Sequence, residues 1–176
     1  YCDGPLNGRN PAEGLYMQIL NTAQRYVYIT TPYLILDSEM TTVLCLAAKS
    51  GIDVRIVTPK IWDKWYVHPA TQYSYEELLE AGVRIYEYTP GFIHSKIFVS
   101  DDRVATVGTV NMDFRSFYFH FECGTWFSNM DVVGDIKADV LVSIALVASI
   151  ASGLSTYTSN PGYSGSRSFS LISRIK

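Results

Sequence analysis

Gly91–Glu122 reads GFIHSKIFVSDDRVATVGTVNMDFRSFYFHFE, and the reading of this stretch decides the fold of the 176-residue chain. From Ile93 onward the pattern predicts a strand. Ile93, Ser95, Ile97 and Val99 share one face, while His94, Lys96, Phe98 and Ser100 share the other, because side chains alternate along a strand. His94 and Lys96 then point the same way, about 7 Å apart along the chain. Asp101 has the opposite parity and falls in a turn, Ser100-Asp101-Asp102, where it reads as a structural partner that pins the turn. A second strand, Val104–Val107, returns. Gly108, Thr109, Val110 and Asn111 follow, with a hydroxyl and an amide beside a glycine that permits close backbone approach.

These residue types suit one chemistry. A histidine serves as nucleophile or general acid near neutral pH, and a lysine places a point charge on phosphate. Thr109 and Asn111 add neutral donors. The set describes a site for a phosphoryl oxyanion, where fixed donors meet developing charge. Glu122 follows His94 by 28 residues on a later apolar segment. It is placed either to orient the imidazole through its second nitrogen or to sit as a buried acid paired with Arg115.

The pattern His94-x-Lys96-x4-Asp101-x6-Gly108-Thr109-x-Asn111 resembles the HKD motif of the phospholipase D superfamily, complete and at that family's spacing. Tyr26–Asp37, Gly51–Pro59, Gly82–Tyr88 and Val107–Ser116 are similar to the bacterial cardiolipin synthases of that superfamily, as the C-terminal half of such an enzyme. The resemblance covers Gln18 to Met130 and extends toward Val140. It implies catalytic roles for His94, Lys96, Asn111 and Glu122, with Lys96, Thr109 and Asn111 on the substrate phosphate and Asp101 and Gly108 as structural motif residues. It implies no cofactor and no metal. It also implies a phospholipid substrate, phosphatidylglycerol, and a parent protein at the cytoplasmic side or interface of the cell membrane.

Superfamily enzymes use two such motifs, from two halves of one chain or from two identical chains. This chain has one. Neither His68 (VHPAT) nor His120 (FHFEC) is followed two residues later by lysine. The resemblance therefore implies half of an active site, completed by a second half of the parent chain or by a second copy. The piece alone is expected to be soluble and inactive. A competing reading is a single-motif endonuclease or phosphodiesterase that works as a homodimer, and a third is a module that only binds phosphate or a partner.

Composition sets further bounds. Apolar residues make up 48% and charged residues 18%, at a net charge of −3. That balance suits one globular domain with a sizeable core and leans against nucleic acid as a partner. Cys2, Cys45 and Cys123 are odd in number and widely spaced, which argues against a disulfide framework or zinc site and fits an intracellular setting; Cys45 lies on an apolar helical stripe, so it reads as core. The opening Tyr1–Pro5 lacks the basic start and apolar core of a signal peptide. Without an initial Met, the chain reads as part of a longer protein.

The elements follow from punctuation and period. Asn10 caps a helix, with Pro11 in its first turn and Glu13 three after the cap; Leu15, Ile19 and Ala23 form its apolar stripe. Tyr26–Thr30 is a strand covered on both faces, ended by Thr31-Pro32-Tyr33 at a strand end where ligands bind in such folds. Ser38 caps a second helix, Glu39–Lys49, stopped by Gly51. Asp53–Thr58 is a strand, a third helix runs from about Ala70 to Ala81 and is closed by Gly82, and Val83–Tyr88 is a strand before the motif hairpin. Phe117–Phe127 reads as a further strand. Trp62, Trp65 and Tyr66 either meet a lipid interface or pack on the sheet. The fold class is α/β, a mixed β-sheet flanked by helices, as in a phospholipase D-like half domain. The domain is expected to span residues 1–152, with 153–176 as a Ser/Gly-rich tail. Val140–Ser152 is apolar nearly all round but short of the roughly twenty residues a bilayer span needs; it suits a buried or partner-facing helix.

Overall fold

The computed structural model describes residues 1–6, 8, 10–61 and 67–155. Trp62, Trp65 and Tyr66, and the tail beyond residue 155, lie outside the described residues. In chain order the elements are β1 (Cys2–Asp3), α1 (Pro11–Thr22), β2 (Tyr26–Thr30), β3 (Leu34–Ile35), α2 (Ser38–Lys49), β4 (Asp53–Pro59), α3 (Val67–Glu80), β5 (Arg84–Tyr88), β6 (Ile97–Ser100), β7 (Val104–Gly108), β8 (Met112–Asp113), α4 (Phe114–Tyr118), β9 (Glu122–Ser128) and α5 (Val132–Ser155).

Among the described residues, seven strands form one mixed sheet in the order β1-β9-β7-β6-β2-β4-β5, and β3 pairs with β8 in a small second sheet. β2, β4 and β5 run parallel; β6 is antiparallel to β2, and β7 and β9 continue the antiparallel half. The parallel half is built from β-α-β crossovers, the antiparallel half from a hairpin and a return. Apolar side chains cover both faces, as the all-buried run of β2 demands. One face, with Val27, Ile29, Ile56 and Phe98, packs against Tyr16 and Leu20 of α1, Leu44 of α2 and Leu78 of α3. The other, with Tyr28, Val57, Val99 and Ala105, packs against Val133, Val140 and Ile144 of α5. The result is an α/β/α sandwich.

Tyr16 is the keystone of the first layer. Its ring stacks on Phe98 at 4.0 Å between centroids and meets Phe117 edge-on at 6.2 Å. Its hydroxyl donates to the Val110 carbonyl at 3.2 Å, tying α1 to the motif loop. The stripe of α1 therefore centres on Tyr16, with Leu15 and Ala23 only half-buried. Burying one such ring is worth about 1.5–3 kcal/mol.

Several boundaries differ from the sequence expectation, each for a local reason. Asp37, one residue before Ser38, caps α2, because its carboxylate accepts the Met40 N–H at 2.9 Å. β6 begins at Ile97 rather than Ile93; upstream, Lys96 makes one ladder bond, its carbonyl accepting from Gly108 N–H at 3.2 Å. The expected strand from Phe117 is instead the short helix α4 followed by β9, because Asp113 accepts the Ser116 N–H at 2.7 Å and starts a helical turn. α3 starts at Val67, before Ala70. The glycine stops hold, with φ of +91° at Gly51 and +99° at Gly82, the left-handed region open to glycine. Cys45 is buried in the core, as expected. α5 continues to Ser155, past the expected boundary at 152; it buries Val140, Ile144 and Val147 and exposes Val142 and Leu146. No helix among the described residues is long and apolar enough to cross a membrane.

Candidate active site

The β6–β7 hairpin has a closed end and an open end, and the HKD residues are divided between them. At the closed end, Asp101 and Asp102 form the two-residue turn with φ of 56° and 60°, so both occupy the left-handed region. The Asp101 carboxylate accepts three backbone N–H groups, from Gln24 at 2.7 Å, Arg25 at 2.9 Å and Tyr26 at 3.0 Å. Asp101 thus fastens the hairpin turn to the α1–β2 connection, far along the sheet from His94. Asp102 joins Arg25 at 2.9 Å and Lys137 of α5 at 2.6 Å, and accepts the Tyr26 hydroxyl at 2.8 Å. Bonds from Lys137 and Tyr26 hold its carboxyl down at about 2.

At the open end, the last residue of β2, the start of β6, the end of β7 and the start of β9 come together. Ile97 pairs with Thr30 and with Val107, and Gly108 pairs with Gly124. The Ser95 hydroxyl donates to the Thr30 hydroxyl at 2.9 Å, and Met112 N–H donates to the Thr31 hydroxyl at 3.1 Å. Thr31-Pro32-Tyr33 therefore borders the site. The Tyr33 ring lies 6.5 Å from that of Phe92, which lies 5.6 Å from the His94 ring.

His94 and Lys96 meet in the extended segment just ahead of β6. Lys96 Nζ lies 2.9 Å from His94 Nδ1, 3.2 Å from Nε2 and 2.7 Å from the His94 carbonyl oxygen. Both ring nitrogens are within reach of the ammonium, which has donors only, and in a neutral imidazole the one without a proton is the acceptor. Lys96 is 8% exposed. Burial pushes its ammonium below the ordinary lysine value, while the carboxylates of Glu122 and Asp113 pull it back up.

Thr109 is locked onto β9. Its N–H donates to the Cys123 carbonyl at 2.8 Å, and its hydroxyl accepts from Cys123 N–H at 3.0 Å. That hydroxyl donates to Glu122 Oε2 in a short hydrogen bond. Glu122 Oε1 lies 3.6 Å from His120 Nδ1, and Arg115 directs its Nε to His120 Nε2 at 2.9 Å. The arginine thus reaches His120, in place of the pairing with Glu122 considered from sequence. At Gly108 a Cβ would fall 2.5 Å from the Cys123 carbonyl oxygen and 2.7 Å from Gly124 Cα, so the close approach that glycine permits is that of β9. Asn111 Nδ2 donates to Ser116 Oγ at 2.9 Å, while its Oδ1 is buried without a partner.

Two features were not foreseen. Ser116 lay inside the quoted motif, but its contact with Asn111 depends on the turn of α4. The Tyr118 hydroxyl lies 3.1 Å from Glu13 Oε2 and 3.0 Å from Asp37 Oδ2, tying α4 to the starts of α1 and α2. Burial and the neighbouring Asp37 push the Glu13 carboxyl up to about 7. No sequence signal joins these three residues, since α1, α2 and α4 meet only in the fold. Among the described residues, no three His, Cys, Asp or Glu side chains cluster as for a metal ion.

Residues 16–140 match the family described as cardiolipin synthase, PLD-like domain. The chain belongs to this family. The PLD-like domain is 46% identical over 138 residues to a cardiolipin synthase of Geobacillus sp. (strain WCH70), covering 78% of this chain and 28% of that protein. It thus spans under a third of the curated relatives it matches. Among solved structures it is similar in fold to Nuc, a phospholipase D family member from Salmonella typhimurium, with a TM-score of 0.68 at 14% identity, covering 81% of this chain and 93% of that one. A phosphatidylserine synthase from Haemophilus influenzae gives a TM-score of 0.62 at 15% identity, covering 83% of this chain and 38% of that one. The PLD-like fold expected from the motif is the fold observed.

Proposed function

We propose that this PLD-like domain supplies one half of a two-histidine active site that transfers a phosphatidyl group, joining two phosphatidylglycerol molecules into cardiolipin with release of glycerol. The observation that carries this reading is the Lys96 ammonium seated on a ring nitrogen of His94. A cation beside the ring favours the neutral imidazole, whose unprotonated nitrogen attacks phosphorus. When a phosphoryl group enters, Lys96 passes to a phosphoryl oxygen, Asn111 adds a neutral donor, and Thr109 adds one by turning its hydroxyl from Glu122. The His94 nitrogen bonds to phosphorus as the bond to glycerol oxygen breaks. Glycerol leaves with a proton from the second histidine. That histidine then takes the proton of the second phosphatidylglycerol hydroxyl as its oxygen displaces His94. Glu122, whose carboxylate sits among Thr109, His120 and Lys96, stabilises positive charge at the site.

The second histidine comes from the remainder of the parent chain or from a second copy. The short span of this chain on its cardiolipin synthase relatives supports the first source. The substrate lies in a bilayer, so the intact protein works at the membrane. The competing homodimeric phosphodiesterase reading draws on the 93% of the Nuc chain that this fold covers. Solution mass, taken with turnover of phosphatidylglycerol micelles and of single-stranded DNA, separates the two. The half-site predicts a monomer inactive on both. A dimer that cleaves DNA and loses this activity with His94→Ala would establish the phosphodiesterase instead.

A further inference from the structure

Cys2 and Cys123 stand far apart in the sequence, but the fold brings them face to face. β1 pairs antiparallel with β9, and the register sets Cys2 directly opposite Cys123. The kind of pair follows from the backbone bonds around it. Tyr1 and Gly124 exchange both of theirs: the Tyr1 nitrogen donates to the Gly124 carbonyl at 2.8 Å, and Gly124 N–H donates to the Tyr1 carbonyl at 2.9 Å. Hydrogen-bonded and non-hydrogen-bonded pairs alternate along an antiparallel ladder, so the next pair, Cys2 and Cys123, is non-hydrogen-bonded. The bonds of Cys123 agree, because both turn away from β1. Its N–H donates to the Thr109 hydroxyl at 3.0 Å, and its carbonyl accepts the Thr109 N–H at 2.8 Å. In such a pair the Cα atoms lie about 4.5 Å apart, with both side chains on one face. A disulfide takes Cα separations of about 4.4–6.8 Å. Both cysteines are exposed, while the third, Cys45 on α2, is buried with its thiol directed at the Glu77 carbonyl of α3.

We propose that Cys2 and Cys123 are a reversible disulfide site, a redox clasp that fastens β1 to the strand bearing Glu122. The co-reactant is a small-molecule disulfide such as oxidised glutathione. One protein thiolate attacks it, giving a mixed disulfide and one free glutathione. The other protein thiolate attacks the protein sulfur of that mixed disulfide; the internal S–S bond forms and the second glutathione leaves. The two thiol protons end on the two glutathiones, so two protein thiols are oxidised and one small disulfide is reduced. Excess thiol reverses the exchange at an exposed bond. What the clasp controls is local order. β1 is two residues long, and a short edge strand frays before the core does. It nevertheless bridges two parts of the fold. Asp3 accepts N–H groups from Gly4 at 2.7 Å and from Ala12, at the start of α1, at 3.0 Å, while Cys123 seats Thr109. Oxidation locks this junction, and reduction leaves it to the backbone ladder alone.

The test uses this chain, reduced and then equilibrated with oxidised glutathione, beside its Cys2→Ser and Cys123→Ser variants. Intact mass, peptide mapping and a thiol count in denaturant read the bond. Thermal unfolding and hydrogen exchange at the Gly124 N–H read its effect. The thiol count is expected to fall from three to one, with the Cys2 and Cys123 peptides linked within a monomer. Tm is expected to rise on the order of 10 °C, because the bond closes a loop of most of the domain. Exchange at Gly124 is expected to slow about tenfold or more, and a thiol reductant to return all three readings. Each serine variant is expected to keep the reduced Tm under both conditions. Stable mixed disulfides without an internal bond, a bond to Cys45, or a bond only between two chains would refute the clasp. An internal bond that leaves Tm unchanged or lowers it would refute it too, because the register would then have distorted to admit it.

Discussion

The closed and open ends of the β6–β7 hairpin share one ladder and are finished in opposite ways. At the closed end, two aspartates in left-handed backbone find more partners than they need: three N–H groups on Asp101, and Arg25, Lys137 and Tyr26 on Asp102. At the open end, the side chains of Lys96, Asn111 and Glu122 face other polar side chains rather than the backbone N–H groups of a neighbouring segment. Lys96 is a buried cation held by the ring and carbonyl of His94 and drawn by the carboxylates of Glu122 and Asp113, and Asn111 Oδ1 is buried without a partner. The difference teaches that the motif's Asp serves folding, while its His, Lys and Asn gather at the other end, where the proposed half-site needs them. Stability resides at one end and is given up at the other, as functional sites commonly require.

Three substitutions probe this contrast, in descending order of effect. Asp101→Ala removes a carboxylate from three N–H groups and leaves alanine in a left-handed turn. The expected loss is about 3 kcal/mol of unfolding free energy, measured by denaturant unfolding, with Asp101→Asn recovering part of it. A loss under about 1 kcal/mol would erase the contrast.

Lys96→Met should behave in the opposite way, leaving stability at neutral pH unchanged or higher by about 1 kcal/mol, while phosphate binding is lost. The sign follows from burial, which lowers the lysine value in the fold. The penalty for the charge is present at neutral pH and is relieved as pH rises through the lowered value toward that of the unfolded chain. Wild type should therefore gain on Lys96→Met in Tm as the solution is made alkaline.

The smallest effect lies beside the open end. Glu13 titrates at about 7 in the fold, against an ordinary value of 4.5. Its contribution is complete below 4.5 and is lost as pH rises through 7. Burial pushes Asp37 up, but hydrogen bonds from Glu13, Met40 N–H and Tyr118 outweigh it and hold Asp37 below its ordinary 3.8, so it stays ionised in this window and adds no slope. Unfolding curves between pH 4.5 and pH 8 should show a decline on the order of 1 kcal/mol, which Glu13→Gln flattens. An equal decline in the variant would assign the slope to another group.

Much of this was legible in the sequence because its signals are local. Pro11 opened α1, though Asp3 rather than Asn10 accepts a first-turn N–H, from Ala12 at 3.0 Å, and Gly51 and Gly82 stopped α2 and α3; His94 and Lys96 come together just ahead of β6. What was missed depends on distant partners. β1 is two residues long and exists because Cys2 and Asp3 meet Cys123 and Glu122 across the sheet. β3 and β8 define each other in the same way. The run Phe117-Tyr118-Phe119 has strand composition, yet the Asp113 cap, four residues earlier, turned it into helix and so brought Ser116 onto Asn111. The signal, Asp113-x-x-Ser116, is local, but it stands next to an aromatic run whose composition favours a strand.

The most direct test of the half-site is cardiolipin formation from phosphatidylglycerol vesicles by the intact parent protein, by its His94→Ala variant and by this chain as a purified monomer. The expected result is turnover by the parent, a fall of at least about a thousandfold in the variant, and none by the isolated chain. Turnover by the monomer, or a parent that works unchanged without His94, would contradict it.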